Sequence, residues 1–444
     1  MRATEVPLAS ILPLTAAVNE TGHLALGGCD AVALAREFST PLYVFDEETL
    51  RHQCRQFQSE FRSRYPDTAV AYAAKAYLGR ALAAVLVQEG MSLDVVSGGE
   101  LAIAGSVNFP PARIHFHGNN KPEEELRQAL DYGVGRIVID NFHELRLLDW
   151  LAWARGLRQK VLLRLSPGID PHTHAHTTTG ILDSKFGIPM PTGQAEAALR
   201  QALETPGLEL VGLHVHMGSP IFELEPYRQA AKVVLAFAAA MQRQYGFQLQ
   251  EFSPGGGFAV QYVEGQAPPA IAEYAEAIVS ALSEGCRECG LSLPRLIIEP
   301  GRAIVARAAV ALYTIGSAKE VPGVRRFVSV DGGMADNIRP TLYGSQYSAL
   351  VANKLLDSRR ELVTIAGKYC ESGDILLRDA DLPPLEPGDL LAMPAAGAYA
   401  LAMASNYNAS LRPAIVLVKD GQAKLMRRRE TYDDLMRCDV WPLE

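Results

Sequence analysis

The sequence predicts an α/β protein, a (β/α)8 barrel joined to a C-terminal all-β domain that also takes in the N-terminal segment. Three observations predict this fold. Between residues 68 and 302, eight short apolar, β-branched runs alternate with helix-period segments. After about residue 305 the helical period largely stops, and short strands and turns follow. The first 40 residues do not begin the alternating pattern, so we expect them to pack on the β domain.

Each candidate barrel strand is a short apolar run that ends before a helical segment. In order, they are TAVAYAAKA (68–76), SLDVVS (92–97), RIHFHG (113–118), RIVIDN (136–141), KVLLRLSP (160–167), LELVGLHVHMG (208–218), LQEFSPGGG (249–257) and RLIIEPGR (295–302). The segments between them, such as HELRLLDWLAWARG, place apolar residues at i, i+3, i+4 and i+7. Alternating strands and helices imply parallel pairing with right-handed crossovers, and eight units match a closed barrel. An open doubly wound sheet is the competing arrangement.

The β domain is predicted from segments without helical period. They are RRFVSVDGGM, ELVTIAGKYCESGDILLRD, LEPGDLLAMP and RPAIVLVKDGQAKLMRRRE. The KDGQ stretch suits a hairpin turn. We therefore divide the chain into an N-terminal segment (1–40), a barrel (41–305) and a β domain (306–444).

Composition limits the classes of function. The chain is 48% hydrophobic and 21% charged, with a formal net charge of −8 and no basic run, which argues against nucleic acid or an anionic membrane as partner. It lacks a signal-peptide core and any long uncharged apolar segment, so we expect a cytoplasmic protein. The six scattered cysteines predict no disulfide framework. Cys286 and Cys289 form a C-x-x-C without a second pair, and no metal site is predicted.

Polar residues collect at the predicted C-terminal ends of the barrel strands, where barrel enzymes place their catalytic groups. They are Lys75, His117, His216 with Ser219, the glycines Gly255, Gly256 and Gly257, and Glu299 with Arg302. Glycines at such an end let backbone amides approach a phosphate, although three glycines also describe an ordinary loop. Together with a lysine that can form an imine, they suggest pyridoxal 5'-phosphate as cofactor.

Lys75 ends the apolar run AYAAKA, where burial would lower its pKa and keep the amine neutral for attack on an aldehyde. The alternative is that the side chain reaches solvent from the strand end. Glu299 is the candidate partner of the pyridine nitrogen. His216 is a candidate for stacking on the ring, although a lone histidine on a strand is more often a satisfied core residue.

These residues lie in motifs that resemble the fold-type III pyridoxal phosphate decarboxylases from about residue 40 to 418. The motifs are YAAKA, DVVSGGEL, FHGNNK, IDPHTHAHTTTGILDSKFGI, HVHMGSPIFE, GGGF, EPGR, GGMADNIRPTLYG, CESGD and GAYALAMASNYN. The resemblance implies a barrel plus a β domain, a homodimer with shared active sites, and decarboxylation of meso-2,6-diaminopimelate to L-lysine. It makes Lys75 the Schiff-base lysine, His216 the ring-stacking residue and Glu299 the partner of the pyridine nitrogen.

The resemblance also implies the remaining site residues. The phosphate would be held by Gly218, Ser219, Gly255, Gly256, Gly257, Gly301 and Arg302. Tyr399 would touch the cofactor and the substrate, and Cys370 would be the acid that reprotonates the product from the neighbouring subunit, with Lys75 as the alternative. Without its flanking motif, Cys370 would be read as a small buried hydrophobe.

Substrate recognition follows from the same resemblance. Arg302, Arg339 and Tyr343 would hold the distal carboxylate, a task that suits the two parallel hydrogen bonds of a guanidinium. Glu371 would bind the distal ammonium across the dimer interface. Pro220 stands where the family usually has glutamine, and the stretches FSPGGGF and SNYNASLRPAIV also depart from its pattern.

Two alternatives to diaminopimelate decarboxylation follow from these departures. One is decarboxylation of a related amino acid with a distal charged group, of the lysine, ornithine or arginine type. The other is a catalytically silent homologue that binds the cofactor. The presence of both Lys75 and Cys370 argues against the silent homologue.

Overall fold

The computed structural model describes residues 6–169 and 183–441, which divide into two compact units. The barrel unit contains the described residues of 53–259 and 268–303. The β unit contains the described residues of 6–52, 260–267 and 304–441. None of the helices in these ranges combines the length and the apolar character that crossing a bilayer requires.

The barrel unit contains eight parallel strands. They are β1 (Thr68–Ala73), β2 (Ser92–Val95), β3 (Ile114–Phe116), β4 (Arg136–Ile139), β5 (Gln159–Ser166), β6 (Leu208–Val215), β7 (Glu251–Gly255) and β8 (Arg295–Ile298). Each strand pairs with the next in sequence, and β8 pairs with β1 through Leu296 and Thr68, so the sheet closes on itself. The predicted barrel is therefore confirmed, and the open sheet is excluded.

The core of the barrel includes a buried apolar cluster. The cluster consists of Ala69, Ala71, Val138, Leu162, Val211 and Ile297. The helices that follow the strands are Arg80–Gln88, Gly98–Gly105, Glu123–Tyr132, Phe142–Trp153, Gln194–Glu204, Glu225–Tyr245 and Ile271–Cys289. The helix Glu47–Arg62 precedes β1 in sequence, the short helix Arg302–Val305 follows β8, and a two-residue strand, Ile188–Pro189, pairs with β5.

The β unit is built on a mixed sheet. Its strands are Leu42–Asp46, Ala309–Val321, Arg325–Val330, Leu350–Val351, Glu361–Ala366, Ile375–Leu382, Leu390–Met393, Ala414–Lys419 and Gln422–Arg427. A small sheet of Ala17–Val18, Leu24–Leu26 and Cys29–Asp30 and the helices Ala31–Phe38, Arg339–Tyr343 and Tyr432–Met436 complete it. The last two sheet strands form the hairpin predicted from KDGQ, with Asp420 and Gly421 at positive φ (51° and 74°).

The N-terminal segment belongs to the β unit, as predicted. Leu12, Leu24 and Leu26 share one buried cluster with Val416 and Val418 of the hairpin. The strand Leu42–Asp46 was not predicted: it pairs antiparallel with Ala309–Val321 and parallel with Ala414–Lys419, although it lies inside the range 41–305. The residue limits of the three predicted domains stay a prediction.

Candidate active site

Polar side chains gather at the C-terminal ends of the barrel strands. Asp94 lies on β2, His214 on β6 and Ser253 on β7, while Lys75, His117, His216 and Glu299 follow β1, β3, β6 and β8. Parallel strands bring their carboxyl ends to one face of a barrel, which is why residues far apart in sequence become neighbours here.

Glu299 is the centre of this cluster. Its Oε1 accepts a hydrogen bond from Ser253 Oγ at 2.8 Å, and its Oε2 lies 3.1 Å from His214 Nε2. His117 Nε2 stands 3.6 Å from both Glu299 Oε1 and Asp94 Oδ1, and its ring packs edge-on against that of His214. Because an ionised carboxylate only accepts hydrogen bonds, His214 donates from Nε2.

The surroundings shift the pKa values of Glu299 and Asp94 in opposite directions. Burial raises the pKa of Glu299, but the imidazoles of His214 and His117 and the hydrogen bonds from His214 and Ser253 outweigh burial and hold that pKa well below its usual range. Burial and the nearby Glu299 charge raise the pKa of Asp94. Burial also lowers the pKa of His117 well below its usual value, and the charge of Glu299 opposes that effect.

His216 is fixed against the glycine loop. The backbone N–H of Gly256 donates to His216 Nδ1 at 3.2 Å, and Tyr227 Oη donates to the carbonyl of Gly256 at 2.8 Å. Burial and the charge of Lys75 lower the pKa of His216 well below its usual value. His216 is therefore a neutral ring of fixed orientation.

The three glycines leave no room for side chains. A Cβ on Gly255 would lie 2.6 Å from the Val215 carbonyl oxygen, and one on Gly256 would lie 2.2 Å from the Glu299 carbonyl oxygen. A Cβ on Gly257 would meet the Gly218 carbonyl oxygen at 2.6 Å. The close approach of these backbones explains why this loop consists of glycine.

Lys75 differs from the expectation of a buried amine. The strand β1 ends at Ala73, and Lys75 lies in the following 3-10 turn, Ala74–Ala76, with an exposed side chain. The prediction of burial is wrong because the turn directs the chain out of the strand one residue before the lysine. The Lys75 charge still acts on two buried groups: it opposes the rise of the Asp94 pKa and adds to the lowering of the His216 pKa.

Arg302 and Ser219 meet beside this cluster. Arg302 is buried and donates from Nη2 to Ser219 Oγ at 3.4 Å. Gly218 is buried and Gly301 packs on β1, where an added Cβ would lie 3.0 Å from the Ala73 Cβ. The structure thus brings the predicted phosphate-binding residues to neighbouring loops of the barrel unit.

The other predicted site residues belong to the β unit. Arg339 is buried, and Tyr343 is partly buried at the end of the same short helix. Tyr399 has a φ of 62°, a strained conformation for a tyrosine. Cys370 and Glu371 are both exposed, which excludes the alternative of Cys370 as a buried hydrophobe.

Backbone hydrogen bonds hold the CESGD segment in place. The backbone N–H of Cys370 donates to Asn408 Oδ1 at 3.0 Å, and those of Met334 and Tyr369 donate to the carboxylate of Asp374.

Most of the predicted motif at 169–188 lies outside the described residues, which omit 170–182.

The residues of the barrel cluster fit pyridoxal 5'-phosphate. An ionised carboxylate at Glu299 can accept a hydrogen bond from a protonated pyridine nitrogen, a neutral His216 can lie against a ring, and Lys75 offers a reachable primary amine. A loop of three glycines is also the kind of backbone whose amides can approach a phosphate closely.

Comparisons with known proteins agree with this chemistry. The family model for the pyridoxal-dependent decarboxylases, pyridoxal binding domain, matches residues 47–306. The chain is 46% identical to the diaminopimelate decarboxylase of Bacillus subtilis (strain 168), over 96% of this chain and 97% of that protein. It is 44% identical to the enzyme of the same name from Synechocystis, over 99% of this chain and 95% of that protein.

A solved structure is similar over the same length. The crystal structure of diaminopimelate decarboxylase from M. jannaschii has a TM-score of 0.91 and 34% identity to this chain, covering 96% of this chain and 98% of that one. A second structure of that enzyme, in co-complex with L-lysine, shows the same similarity.

Proposed function

The chain belongs to the pyridoxal-dependent decarboxylase family, and on that premise we propose that it converts meso-2,6-diaminopimelate to L-lysine and carbon dioxide. The relatives named for this activity match nearly its full length. The observation that carries the choice of substrate is Arg339, a buried guanidinium that forms no ion pair with any carboxylate of the described residues. A buried cation of this kind favours a substrate with an additional carboxylate.

Pyridoxal 5'-phosphate supplies the electron sink that allows an amino acid to lose its carboxylate. Lys75 would hold the cofactor by its aldehyde, and Glu299 would hold the proton on the pyridine nitrogen. His216 would orient the ring. Gly218, Ser219, Gly255, Gly256, Gly257, Gly301 and Arg302 would hold the phosphate.

The protonation states in the barrel cluster serve this task. Glu299 must be ionised to stabilise a pyridinium proton, and its bonds to His214 and Ser253 keep it so. Burial and the charge of Glu299 raise the pKa of Asp94, so Asp94 is less suited than Glu299 to that role. The two buried carboxyl groups of this cluster therefore have pKa values that are shifted in opposite directions.

At the other end of the substrate, Arg302, Arg339 and Tyr343 would hold the distal carboxylate, and Tyr399 would contact both cofactor and substrate. Cys370 would donate the proton from Sγ to the carbon that has lost carbon dioxide. Glu371 would bind the distal ammonium. The exposure of Cys370 and Glu371 in the single chain supports their action across the interface of a homodimer.

We further place the reaction in the cytoplasm, which suits an enzyme whose six cysteines are all free thiols.

The experiment is a side-by-side assay of meso-diaminopimelate, lysine, ornithine and arginine, following carbon dioxide and product. We expect strong preference for diaminopimelate. Arg339→Ala should lower kcat/KM for diaminopimelate by a factor equivalent to about 2 to 5 kcal/mol, the range for breaking a buried charge pair. The absorbance of the cofactor should stay unchanged. Arg287→Ala, on the exposed surface of a barrel helix, is the matched control. Comparable wild-type turnover of lysine or ornithine would assign the chain to diamine formation instead.

The shared site has its own test. Lys75→Ala and Cys370→Ala should each be nearly inactive alone. Random pairing after mixing gives half heterodimers, each with one intact site, so about a quarter of wild-type activity should return. Mixing that forms heterodimers but restores nothing would place Lys75 and Cys370 in the same site of one chain.

A further inference from the structure

Arg339 is enclosed by two tyrosines of the β unit. Only 6% of the residue is exposed, and its Nη1 donates to Tyr347 Oη at 2.6 Å. The guanidinium carbon lies 4.8 Å from the centre of the Tyr262 ring and 5.6 Å from that of Tyr347. The two rings contact each other edge to face, with centroids 5.1 Å apart and planes at 76°.

The backbone joins the two tyrosines into one unit. The N–H of Ser348, next to Tyr347, donates to the carbonyl of Tyr262 at 3.2 Å. Tyr262 lies in the segment 260–267, which is far from Tyr347 in sequence but belongs to the same compact unit. One ring therefore cannot move without disturbing the other. We call Tyr262 and Tyr347 the tyrosine clamp.

The clamp stabilises the charge of Arg339 without neutralising it. Aromatic faces attract a cation through the ring quadrupole and leave the in-plane N–H groups to hydrogen-bond acceptors. The acceptors that contact the guanidinium are the hydroxyls of Tyr347, Tyr262 and, at 3.3 Å, Ser345, and no carboxylate of the described residues is among them. An aspartate or glutamate at any of these positions would instead form a complete ion pair and compete with a carboxylate of the substrate.

We propose that Tyr262 and Tyr347 are positioning residues for substrate specificity, which hold the Arg339 guanidinium charged and oriented to receive the distal carboxylate of an amino-acid substrate. This inference rests on the proposed function and names two residues that contribute to the selectivity for substrates with a distal carboxylate. Tyr347 fixes the rotation of the guanidinium by a hydrogen bond, and Tyr262 fixes its plane by ring contact.

The test compares two ligands that differ by one carboxylate. L-lysine keeps the distal carboxylate after the reaction, whereas 1,5-diaminopentane has none. Tyr347→Phe should raise KM for meso-diaminopimelate and the inhibition constant of L-lysine about ten- to hundredfold, the usual effect of losing a hydrogen bond to a charged group. Tyr262→Leu should raise both about five- to thirtyfold. Neither variant should change the inhibition constant of the diamine.

Two variants separate positioning from folding. Tyr262→Phe keeps the ring face and loses only the hydroxyl, so it should recover most of the L-lysine binding that Tyr262→Leu loses. Tyr432→Phe, at an exposed tyrosine of the same unit, should behave as wild type. Thermal unfolding and cofactor absorbance should be unchanged in Tyr262→Phe and Tyr347→Phe. Calorimetric titration of L-lysine into each holoenzyme gives the same comparison without turnover.

The outcomes distinguish this inference from the function on which it rests. Equal weakening of L-lysine and the diamine in Tyr347→Phe and Tyr262→Leu would show that the tyrosines only support the fold, and would overturn the clamp alone. Unchanged L-lysine binding in both variants would overturn it as well. Wild-type protein that does not turn over diaminopimelate would overturn the proposed function and the clamp together.

Discussion

Replacing Gly256 by alanine should weaken cofactor binding while the chain still folds. The added Cβ would lie 2.2 Å from the carbonyl oxygen of Glu299, where 3.4 Å or more is ordinary contact. That oxygen is part of the backbone and cannot rotate away, so the glycine loop must shift by about 1 Å to restore ordinary packing. The shift strains the bonds that Gly256 makes with His216 and Tyr227.

The size of the effect follows from the overlap. Forcing one methyl group into a well-packed site costs about 1 to 3 kcal/mol. If the loop relieves the strain by moving, this penalty appears in the cofactor dissociation constant, as an increase of about 5- to 150-fold. We expect kcat at saturating cofactor to fall as well, because the same movement displaces the ring of His216.

The measurement is an equilibrium titration of the apoenzyme with pyridoxal 5'-phosphate, followed by visible absorbance. The control is Gly99→Ala, in the helix Gly98–Gly105, where the nearest atom to an added Cβ is Ser97 Oγ at an ordinary 3.7 Å. Alanine there should leave cofactor affinity unchanged and stabilise the helix by up to about 1 kcal/mol. If Gly256→Ala bound the cofactor as tightly as Gly99→Ala, with an equal free energy of unfolding, the steric reasoning would be wrong.

Three further predictions test the electrostatics. His214→Phe removes a hydrogen-bond donor to Glu299, so the pKa of Glu299 should rise. The acid limb of the kcat–pH profile should then move to higher pH, and a limb that does not move would contradict this reasoning. Burial raises the pKa of Asp336 from 3.8 to about 6. Between these two pH values the folded state keeps a proton that the unfolded chain has lost. The free energy of unfolding should therefore fall by about 3 kcal/mol as the pH rises through this range. Asp336→Asn should remove this slope in urea unfolding at pH 4 to 6.5. Lys121→Met leaves the buried Glu144 without its partner at 2.6 Å and should lower the free energy of unfolding by about 3 to 5 kcal/mol, measured by denaturant titration.

The barrel could be predicted from the sequence because each of its eight strands is a local pattern. Every predicted run overlaps an observed strand, and the helices between them follow their apolar periodicity. The strand Leu42–Asp46 could not be assigned to its sheet in the same way. Its partners, Ala309–Val321 and Ala414–Lys419, lie hundreds of residues away, and an apolar run of five residues carries no sign of which sheet it joins.

The site was predictable where motif and strand end coincide, and less so where side chains meet across the fold. Glu299 and His216 were singled out, but His214 and Ser253, which fix the charge of Glu299, were not. Both are polar residues near the C-terminal ends of predicted strands, where they are buried, and this position could have identified them. Tyr262 and Tyr347 gave no such signal, because a tyrosine in a loop is common and their shared contact with Arg339 depends on tertiary folding.

The contrast between Glu299 and Arg339 shows how the chain treats two buried charges it must keep. Glu299 receives hydrogen bonds from His214 and Ser253, yet a carboxylate has further lone pairs and can still accept a hydrogen bond from a pyridinium N–H. Arg339 receives aromatic faces and neutral hydroxyls, so its charge remains available to a carboxylate. In both cases the contacting side chains leave some hydrogen-bonding positions of the charged group open to a ligand. A full counter-ion would stabilise either charge more in the free protein, but it would also occupy the position that the ligand must take.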